Sequence, residues 1–153
     1  MSWPRVELDP VAKLRALAAA LPHVALEERL IEAPFARVWS FIDDLERGVP
    51  QFEGNVRRLR VMRREGEQLW LESEGPLGLS LRMQAVLRPG WCVMHTASGS
   101  AQIGMAARSE GPAQTRFAHF EGSRWLGRVG RPLFRGFVRR DLANLARLAE
   151  AQK

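Results

Sequence analysis

Six short segments between Asn55 and Glu121 alternate between apolar and polar residues. A period of two predicts β-strands, and the glycines and prolines between the segments are typical of hairpin turns. The predicted strands span residues 56–64, 67–73, 77–87, 91–96, 101–109 and 114–121. Consecutive strands joined by turns this short pair as antiparallel neighbours, so this part of the chain predicts one antiparallel sheet.

One face of this sheet is predicted to be apolar. The predicted inward residues are Leu59, Val61, Leu69, Leu71, Leu79, Leu81, Met83, Ala85, Ile103, Met105 and Phe117. Such a face needs a cover, and the long element left to supply one is a helix predicted from about Trp125 to Ala151. Its apolar stripe includes Leu126, Val129, Leu133, Phe134, Phe137, Val138, Leu142, Leu145 and Leu148. Pro132 should kink this helix or separate its first turn.

A helix is also predicted near the start of the chain. Asp9 is a good N-cap and Pro10 suits the first helical position, and the helix should end at Pro22. The next elements are predicted as a strand over residues 24–31, a helix over residues 34–45 and a short turn or helical fragment over residues 49–52. We therefore expect an N-terminal helical extension over residues 1–23 and one α+β domain over residues 24–153. In that domain a curved antiparallel sheet of about seven strands surrounds the long C-terminal helix.

Composition limits the classes of function. The 153 residues are 46% hydrophobic and include one cysteine, Cys92, which excludes an internal disulfide and a metal site built on several cysteines. We expect a cytoplasmic protein, because no segment approaches about 20 apolar residues and the start lacks the order of a signal peptide. The net charge of +6 favours anionic partners, although the arginine enrichment behind it can equally reflect genome composition or heat tolerance.

Three segments together resemble a known superfamily. A strand is followed by Ala33-Pro34 and a helix carrying Val38-Trp39, a Gly-Pro turn at Gly111 leads into the last strand, and the C-terminal helix ends in Leu142-Ala-Asn-Leu-Ala-Arg-Leu-Ala-Glu. In this order and spacing, residues 24–152 resemble the START/Bet v 1-like (SRPBCC) helix-grip superfamily, especially its polyketide cyclase/dehydrase-like branch. The N-terminal helix departs from the pattern, and it could pack on the sheet or cap a cavity.

The resemblance implies a helix-grip fold with an internal cavity for lipids, polyketides, quinones or similar hydrophobic molecules. Some members of the superfamily are enzymes and many only bind or carry, and no shared catalytic set exists to transfer. The residues expected to line the cavity are Leu69, Leu71, Leu81, Met83, His95, Ile103, Met105, Phe117, His119, Phe134 and Phe137. For each of them ordinary core packing is an equal alternative, and large side chains could fill the cavity.

Two histidines are the candidate catalytic residues. His95 is in phase with Val93, and His119 is in phase with Phe117, so both are predicted to face the cavity. Histidine can act as an acid or a base near neutral pH, but either ring could equally be a hydrogen-bonded structural group. Glu121 shares the face of His119 and could orient its ring, although we expect Glu121 to be solvated near the strand end.

The third histidine and the cysteine do not match the pattern of a catalytic site. His23 is predicted to be solvated in a turn, and Cys92 alternates away from His95, which argues against a cysteine–histidine pair. We expect no metal site, because His95 and His119 lack a recognisable third ligand, and no cofactor.

Three functions stay open. We favour a protein that binds or carries a hydrophobic small molecule. The alternative is a polyketide cyclase/dehydrase-like enzyme that uses His119 or His95. The lesser alternative is a basic surface for nucleic acid or anionic membrane, formed by Arg124, Arg128, Arg131 and Arg135 along one stripe of the last helix. No nucleic-acid motif accompanies these arginines, so we expect no specific nucleic acid, whereas transient membrane contact and the oligomeric state stay open.

Overall fold

Seven strands form one antiparallel sheet in the structure, a computed structural model that describes residues 1–5 and 7–151. The strands are β1 (Val24–Ile31), β2 (Arg58–Glu65), β3 (Gln68–Glu74), β4 (Ser80–Arg88), β5 (Trp91–Thr96), β6 (Ala101–Gly111) and β7 (Gln114–Ser123). They are ordered β1-β7-β6-β5-β4-β3-β2, so each strand from β2 to β7 pairs with the next and β1 adds to the outer edge of β7. The predicted antiparallel sheet of about seven strands is confirmed.

The helices are α1 (Pro10–Ala19), α2 (Phe35–Asp43), α3 (Leu45–Phe52) and α4 (Arg131–Glu150). Asp9 caps α1 as predicted, since its side chain accepts a hydrogen bond from the Ala12 amide at 3.0 Å. A 3-10 turn, Gly127–Gly130, precedes α4, and Pro132 lies in the first turn of the helix, so the proline does separate the last element into two parts. No helix in the described ranges combines the length and apolar character needed to cross a bilayer.

The helix predicted over residues 34–45 is α2, which ends at Asp43, and a second helix, α3, begins at Leu45. Asp44 leaves helical geometry, with φ −103° and ψ 83°, and its side chain caps α3 by accepting from the Arg47 amide at 3.3 Å. Gly48 then packs directly on the backbone of Phe41, where a Cβ atom would overlap the Phe41 carbonyl group. The fragment predicted over residues 49–52 is therefore the end of a complete second helix, α3.

Helix α4 packs on one face of the sheet, which we call the inner face. The β6–β7 register places Ala107 opposite Phe117, Met105 opposite His119 and Ile103 opposite Glu121, so these side chains share that face. The core between this face and helices α2, α3 and α4 contains buried residues from the sheet and from these three helices, among them Ile42, Val49, Leu69, Leu71, Met83, Met105, Phe117, Val138, Leu142 and Leu145.

Several residues predicted to be buried are exposed. Leu79 precedes the start of β4 at Ser80 and is 69% exposed, and Leu81 at the start of that strand is half exposed. Leu126, Val129 and Leu133 are exposed because the 3-10 turn breaks the helical period on which their stripe depended.

Helix α1 packs on the opposite, outer face. Val11 and Leu14 are fully buried against a cluster that includes Ala118 and Phe120. Arg15 donates two hydrogen bonds of 2.6 Å to the carboxylate of Glu28, which joins α1 to β1. The sequence left open whether this helix packs on the sheet or caps a cavity. Helix α1 packs on the outer face of the sheet and does not cover the inner face.

Candidate functional site

A pocket of about 180 Å³ lies between the inner face of the sheet and the first half of α4. Its apolar walls include Val56, Leu81, Met83, Ile103 and Phe134, contributed by the segment after α3, by β4, by β6 and by α4. Two acidic residues, Glu53 and Glu121, also line it. The pocket wall is thus mainly apolar, and its polar residues are these two acids together with Asn55, Ser73, Thr96 and Gln102.

Those two acidic residues belong to a buried group of four ionisable side chains. Glu53, His119, Glu121 and Asp141 each offer one nitrogen or oxygen atom, and these atoms all lie within 4.8 Å of one another. None of the four residues is more than 3% exposed. We call Glu53, His119, Glu121 and Asp141 the buried cluster.

Three elements bring the buried cluster together. His119 and Glu121 are two positions apart on β7 and therefore project from the same face. Asp141 lies on the buried side of α4, and Glu53 is the C-cap residue of α3. The Gly54 amide donates to Asp141 Oδ1 at 3.1 Å and so joins the end of α3 to α4.

The hydrogen bonds around His119 orient its ring. Nδ1 lies 2.9 Å from the carbonyl oxygen of Gly104, and because a carbonyl can only accept, Nδ1 carries a proton. Nε2 then faces the centre of the cluster, 3.4 Å from Asp141 Oδ2 and 3.6 Å from Glu121 Oε1. The other oxygen of Asp141, Oδ1, accepts hydrogen bonds from Arg140 Nε at 3.2 Å and Nη2 at 3.1 Å as well as from the Gly54 amide. These bonds fix the position of the carboxylate.

The carboxyl groups of Glu53 and Glu121 are less well satisfied. All four of their oxygens are buried, and none accepts a hydrogen bond from another described residue. Among the described residues, the hydrogen bond that these groups can form is with each other, with one carboxyl group protonated and the other ionised. A buried polar atom without a partner costs about 1–3 kcal/mol. Binding of a ligand or an ion that pairs with these oxygens would remove that cost.

Burial and charge displace three pKa values in the cluster. Burial raises the pKa of Glu53 well above its usual value, and the charge of Glu121 raises it further. Burial also acts on Glu121, but a proton held by Glu53 and the neighbouring His119 ring outweigh it and hold the pKa at about 2. For His119, burial opposes the charged form, yet the adjacent carboxylates of Asp141 and Glu121 outweigh it and raise the pKa well above its usual value.

The predicted cavity residues fall into three groups. Leu81, Met83, Ile103 and Phe134 line the pocket. Leu69, Leu71, Met105 and Phe117 are packed in the core, and Phe137 is half-buried on α4, edge-on to Phe134 with the ring centroids 6.0 Å apart. His119 is fully buried in the cluster, and the part of the pocket wall next to it is formed by Glu121.

The predicted orientation of His95 is wrong. Cys92 pairs with Met105, which places Cys92 and Met94 on the inner face and Val93 and His95 on the outer face. His95 lines a groove of about 490 Å³ on that outer face, beside Leu17 of α1. It cannot reach the pocket from there, so the structure excludes it as a pocket residue.

Two further predictions about polar residues are wrong. His23 is buried rather than solvated, and its Nε2 atom hydrogen-bonds the side chain of Gln102. Glu121 is buried rather than solvated, because β7 continues to Ser123 and carries Glu121 beneath α4 instead of ending beside it.

Sequence reasoning missed Glu53 and Asp141. A signal existed for Asp141, since a carboxylate stands on the buried stripe of α4 between Val138 and Leu142. The position of Glu53 at the end of α3 gave no comparable signal, because residues 49–52 were not recognised as part of a full helix.

Comparison with known proteins identifies the fold. No protein-family model matches the sequence, and neither does any curated protein. Among solved structures, TTHA0849 from Thermus thermophilus is 21% identical with a TM-score of 0.65, and the alignment covers 84% of this chain and 97% of that one. The Zhui aromatase/cyclase from Streptomyces sp. R1128 is 13% identical with a TM-score of 0.62, over 84% of this chain and 94% of that one.

A START superfamily protein from Mycobacterium smegmatis is 17% identical with a TM-score of 0.60, and the alignment covers 86% of this chain and 99% of that one. Identities this low report on fold alone. The chain has the helix-grip fold that START superfamily and aromatase/cyclase proteins share.

Proposed function

We propose that the chain binds a hydrophobic small molecule in the pocket between Met83, Ile103 and Phe134, with a polar end directed at Glu53 and Glu121. The observation that carries the proposal is a mainly apolar pocket lined by two buried carboxyl groups that, among the described residues, have no donor except a proton shared between them. Ligand sites are characteristically apolar with a few convergent polar groups. A ligand that donates a hydrogen bond there would remove the cost of those unpaired oxygens.

The pocket volume narrows the class of ligand. An engineered apolar cavity of about 150 Å³ binds benzene, so about 180 Å³ suits a body of one or two rings. A longer acyl chain or a larger fused-ring system would extend past the opening beside the half-exposed Leu81. The proposed ligand is therefore a small aromatic or alicyclic molecule that carries a hydroxyl or amino group.

Isothermal titration with 2-naphthol, in buffer containing EDTA, tests this proposal. We expect 1:1 binding, and binding at least tenfold weaker for naphthalene, which lacks the donor. A hydrogen bond to a charged group contributes about 1.5–3 kcal/mol, which corresponds to roughly 10- to 100-fold in affinity.

Paired variants locate the site. Met83→Trp enlarges a pocket wall and should abolish binding, whereas Met62→Trp makes the same change at an exposed position and should leave binding intact. Equal affinity of the two folded variants would contradict the proposed pocket, and so would failure of the parent protein to bind 2-naphthol.

A cyclase-like enzyme is the second candidate, because His119 contacts Glu121 and Glu121 reaches the pocket. In this hypothesis Glu121 exchanges a proton with the substrate, and His119 is a positioning residue behind it. General acid–base catalysis contributes about 10²–10⁴ to a rate. The test is turnover of a poly-β-ketone thioester by the parent and by Glu121→Gln. A turnover rate that falls by that factor in the variant, with the KM unchanged, would support the enzyme hypothesis. Absence of turnover in the parent would refute it.

The arginine surface is less well supported as a binding site. Arg135 and Arg139 both lie 3.2 Å from Glu27 Oε1, and Arg140 contacts Asp141. These ion pairs leave less positive charge on α4 for phosphate groups.

A further inference from the structure

We propose that the buried cluster is a binding site for one divalent transition-metal ion, with Glu53, His119, Glu121 and Asp141 as ligands. The sequence predicted no metal site, but that expectation considered the spacing of the histidines and not Glu53 or Asp141. One imidazole nitrogen and three carboxylate oxygens suit Mn²⁺, Fe²⁺, Co²⁺ or Zn²⁺. The proposal goes beyond small-molecule binding and does not depend on it.

The unpaired oxygens are the first argument. Glu53 and Glu121 are 1% and 3% exposed, and apart from a proton shared between them their carboxyl groups lack a hydrogen-bond donor among the described residues. Two carboxyl groups buried in this way are costly unless a cation or a proton lies between them. Their oxygens lie within 4.8 Å of the ligand atoms that His119 and Asp141 offer, so the four side chains form one compact group.

The partners behind the cluster are the second argument. A metal-binding histidine characteristically donates its other ring N–H to a carbonyl or carboxylate, as His119 does to Gly104 at 2.9 Å. Asp141 is held in the same manner through Oδ1, by the Gly54 amide and Arg140, which leaves Oδ2 facing inward. Each of these two residues is thus fixed from outside and presents one free atom to the centre.

The spacing of those atoms is the third argument. Charge-assisted hydrogen bonds are about 2.7–2.9 Å long, whereas His119 Nε2 lies 3.4 Å from Asp141 Oδ2 and 3.6 Å from Glu121 Oε1. Two ligands that are each about 2.1 Å from a tetrahedral ion stand about 3.4 Å apart. The observed distances are longer than charge-assisted hydrogen bonds and match the spacing of two ligands of one ion, so an ion could replace the weak direct contacts.

Charge and access agree with this assignment. With a divalent ion bound, three carboxylates beside a neutral imidazole would be balanced by the ion together with the guanidinium of Arg140. Glu53 and Glu121 line the pocket, so an ion would enter from it and would turn any open coordination position toward it. A small molecule in the pocket could then offer an oxygen atom to the ion.

Titration of chelator-treated protein with Co²⁺, followed by visible absorption and calorimetry, tests the site. We expect one Co²⁺ per chain with a Kd in the micromolar range or below. Glu53→Gln and Glu121→Gln keep the side-chain shape and should each weaken binding at least tenfold. Glu72→Gln and His95→Ala change the same residue types outside the cluster and should bind like the parent.

A second measurement needs no variant. In the ¹⁵N-histidine spectrum of the parent, one equivalent of Zn²⁺ should shift the His119 resonances and leave those of His23 and His95 in place. The proposal is overturned if the parent binds no Co²⁺ with a defined ratio, if the folded glutamine variants bind as tightly as the parent, or if Zn²⁺ leaves the His119 resonances unchanged.

Discussion

Replacement of Asp141 by alanine should destabilise the fold far more than an ordinary substitution. Asp141 is fully buried, and it accepts from the Gly54 amide and from Arg140 while its other oxygen faces His119. Removing the carboxylate leaves the amide of the exposed residue Gly54 and the buried imidazole of His119 without this partner. It also removes the hydrogen bond that joins the end of α3 to α4.

The expected magnitude follows from those contacts. A hydrogen bond to a charged acceptor is worth about 1.5–3 kcal/mol, and a buried imidazole nitrogen left without a partner costs about 1–3 kcal/mol. The contribution of Arg140 is smaller, because its side chain is 41% exposed and solvent screens its charge. We expect Asp141→Ala to lower the free energy of unfolding by about 3–5 kcal/mol, which is a large fraction of the stability of a typical domain.

Urea unfolding in EDTA, followed by circular dichroism, measures this loss without any contribution from bound metal. Asp141→Asn keeps an acceptor for the Gly54 amide and should lose less than Asp141→Ala. Asp43→Ala removes an exposed carboxylate and should change the free energy by no more than about 0.5 kcal/mol. A loss below about 1 kcal/mol in Asp141→Ala would refute the claim that Asp141 holds α3 and α4 together.

Three other predictions concern single residues. Gly48→Ala should lower stability by about 1–3 kcal/mol in urea unfolding, because a Cβ atom would overlap the backbone carbonyl group of Phe41, whereas Gly136→Ala meets open space in a helix and should raise stability by about 0.5–1 kcal/mol. The hydrogen bonds from Arg15 lower the pKa of Glu28 despite its partial burial, so the pair contributes stability above the unfolded pKa near 4.5 and loses it as the pH falls through the lower folded pKa. Parent and Glu28→Gln should therefore differ by about 0.5–1 kcal/mol at pH 7 and converge in acid; a difference that grows in acid would contradict this sign. Burial raises the pKa of the Cys92 thiol to about 12, so a thiol reagent at pH 8 should react with unfolded protein only, and rapid reaction of the native protein would contradict the burial.

Much of the fold could be predicted because local signals agreed with one another. Alternation at period two, interrupted by glycine and proline, predicted the strands from β2 to β7 and their antiparallel order, whereas the pairing of β1 with β7 was not predicted. The helical stripe predicted α4, and Pro132 indicated where it begins. These features depend on residues that are near one another in sequence.

The inner and outer faces of β5 could not be assigned in the same manner. Trp91 and Val93 project from one face, and Cys92 and Met94 from the other, so both faces are apolar and alternation does not distinguish them. Helix α1 covers part of the outer side, which removes the usual polar signal there. The orientation of His95 depended on this missing signal.

The buried cluster was only half predictable for a different reason. His119 and Glu121 are neighbours on one strand, and their shared face follows from the period of two. Glu53 and Asp141 join them through packing of α3 against α4, and the hydrogen bond that fixes this contact spans 87 positions. No local pattern reports a contact between segments so far apart.

The most direct test of ligand binding in the pocket is a titration of ¹³C-methyl-methionine protein with 2-naphthol. Met83 lines the pocket, Met105 is packed in the core, and Met62 is an exposed residue of a separate groove of about 350 Å³ that Met83 also borders, so a shift at Met62 would report binding in that groove. If the ligand binds in the pocket, we expect the Met83 methyl resonance to shift and saturate at one equivalent while that of Met62 stays in place. A Met83 resonance that does not move, or a larger shift at Met62, would contradict ligand binding in the pocket.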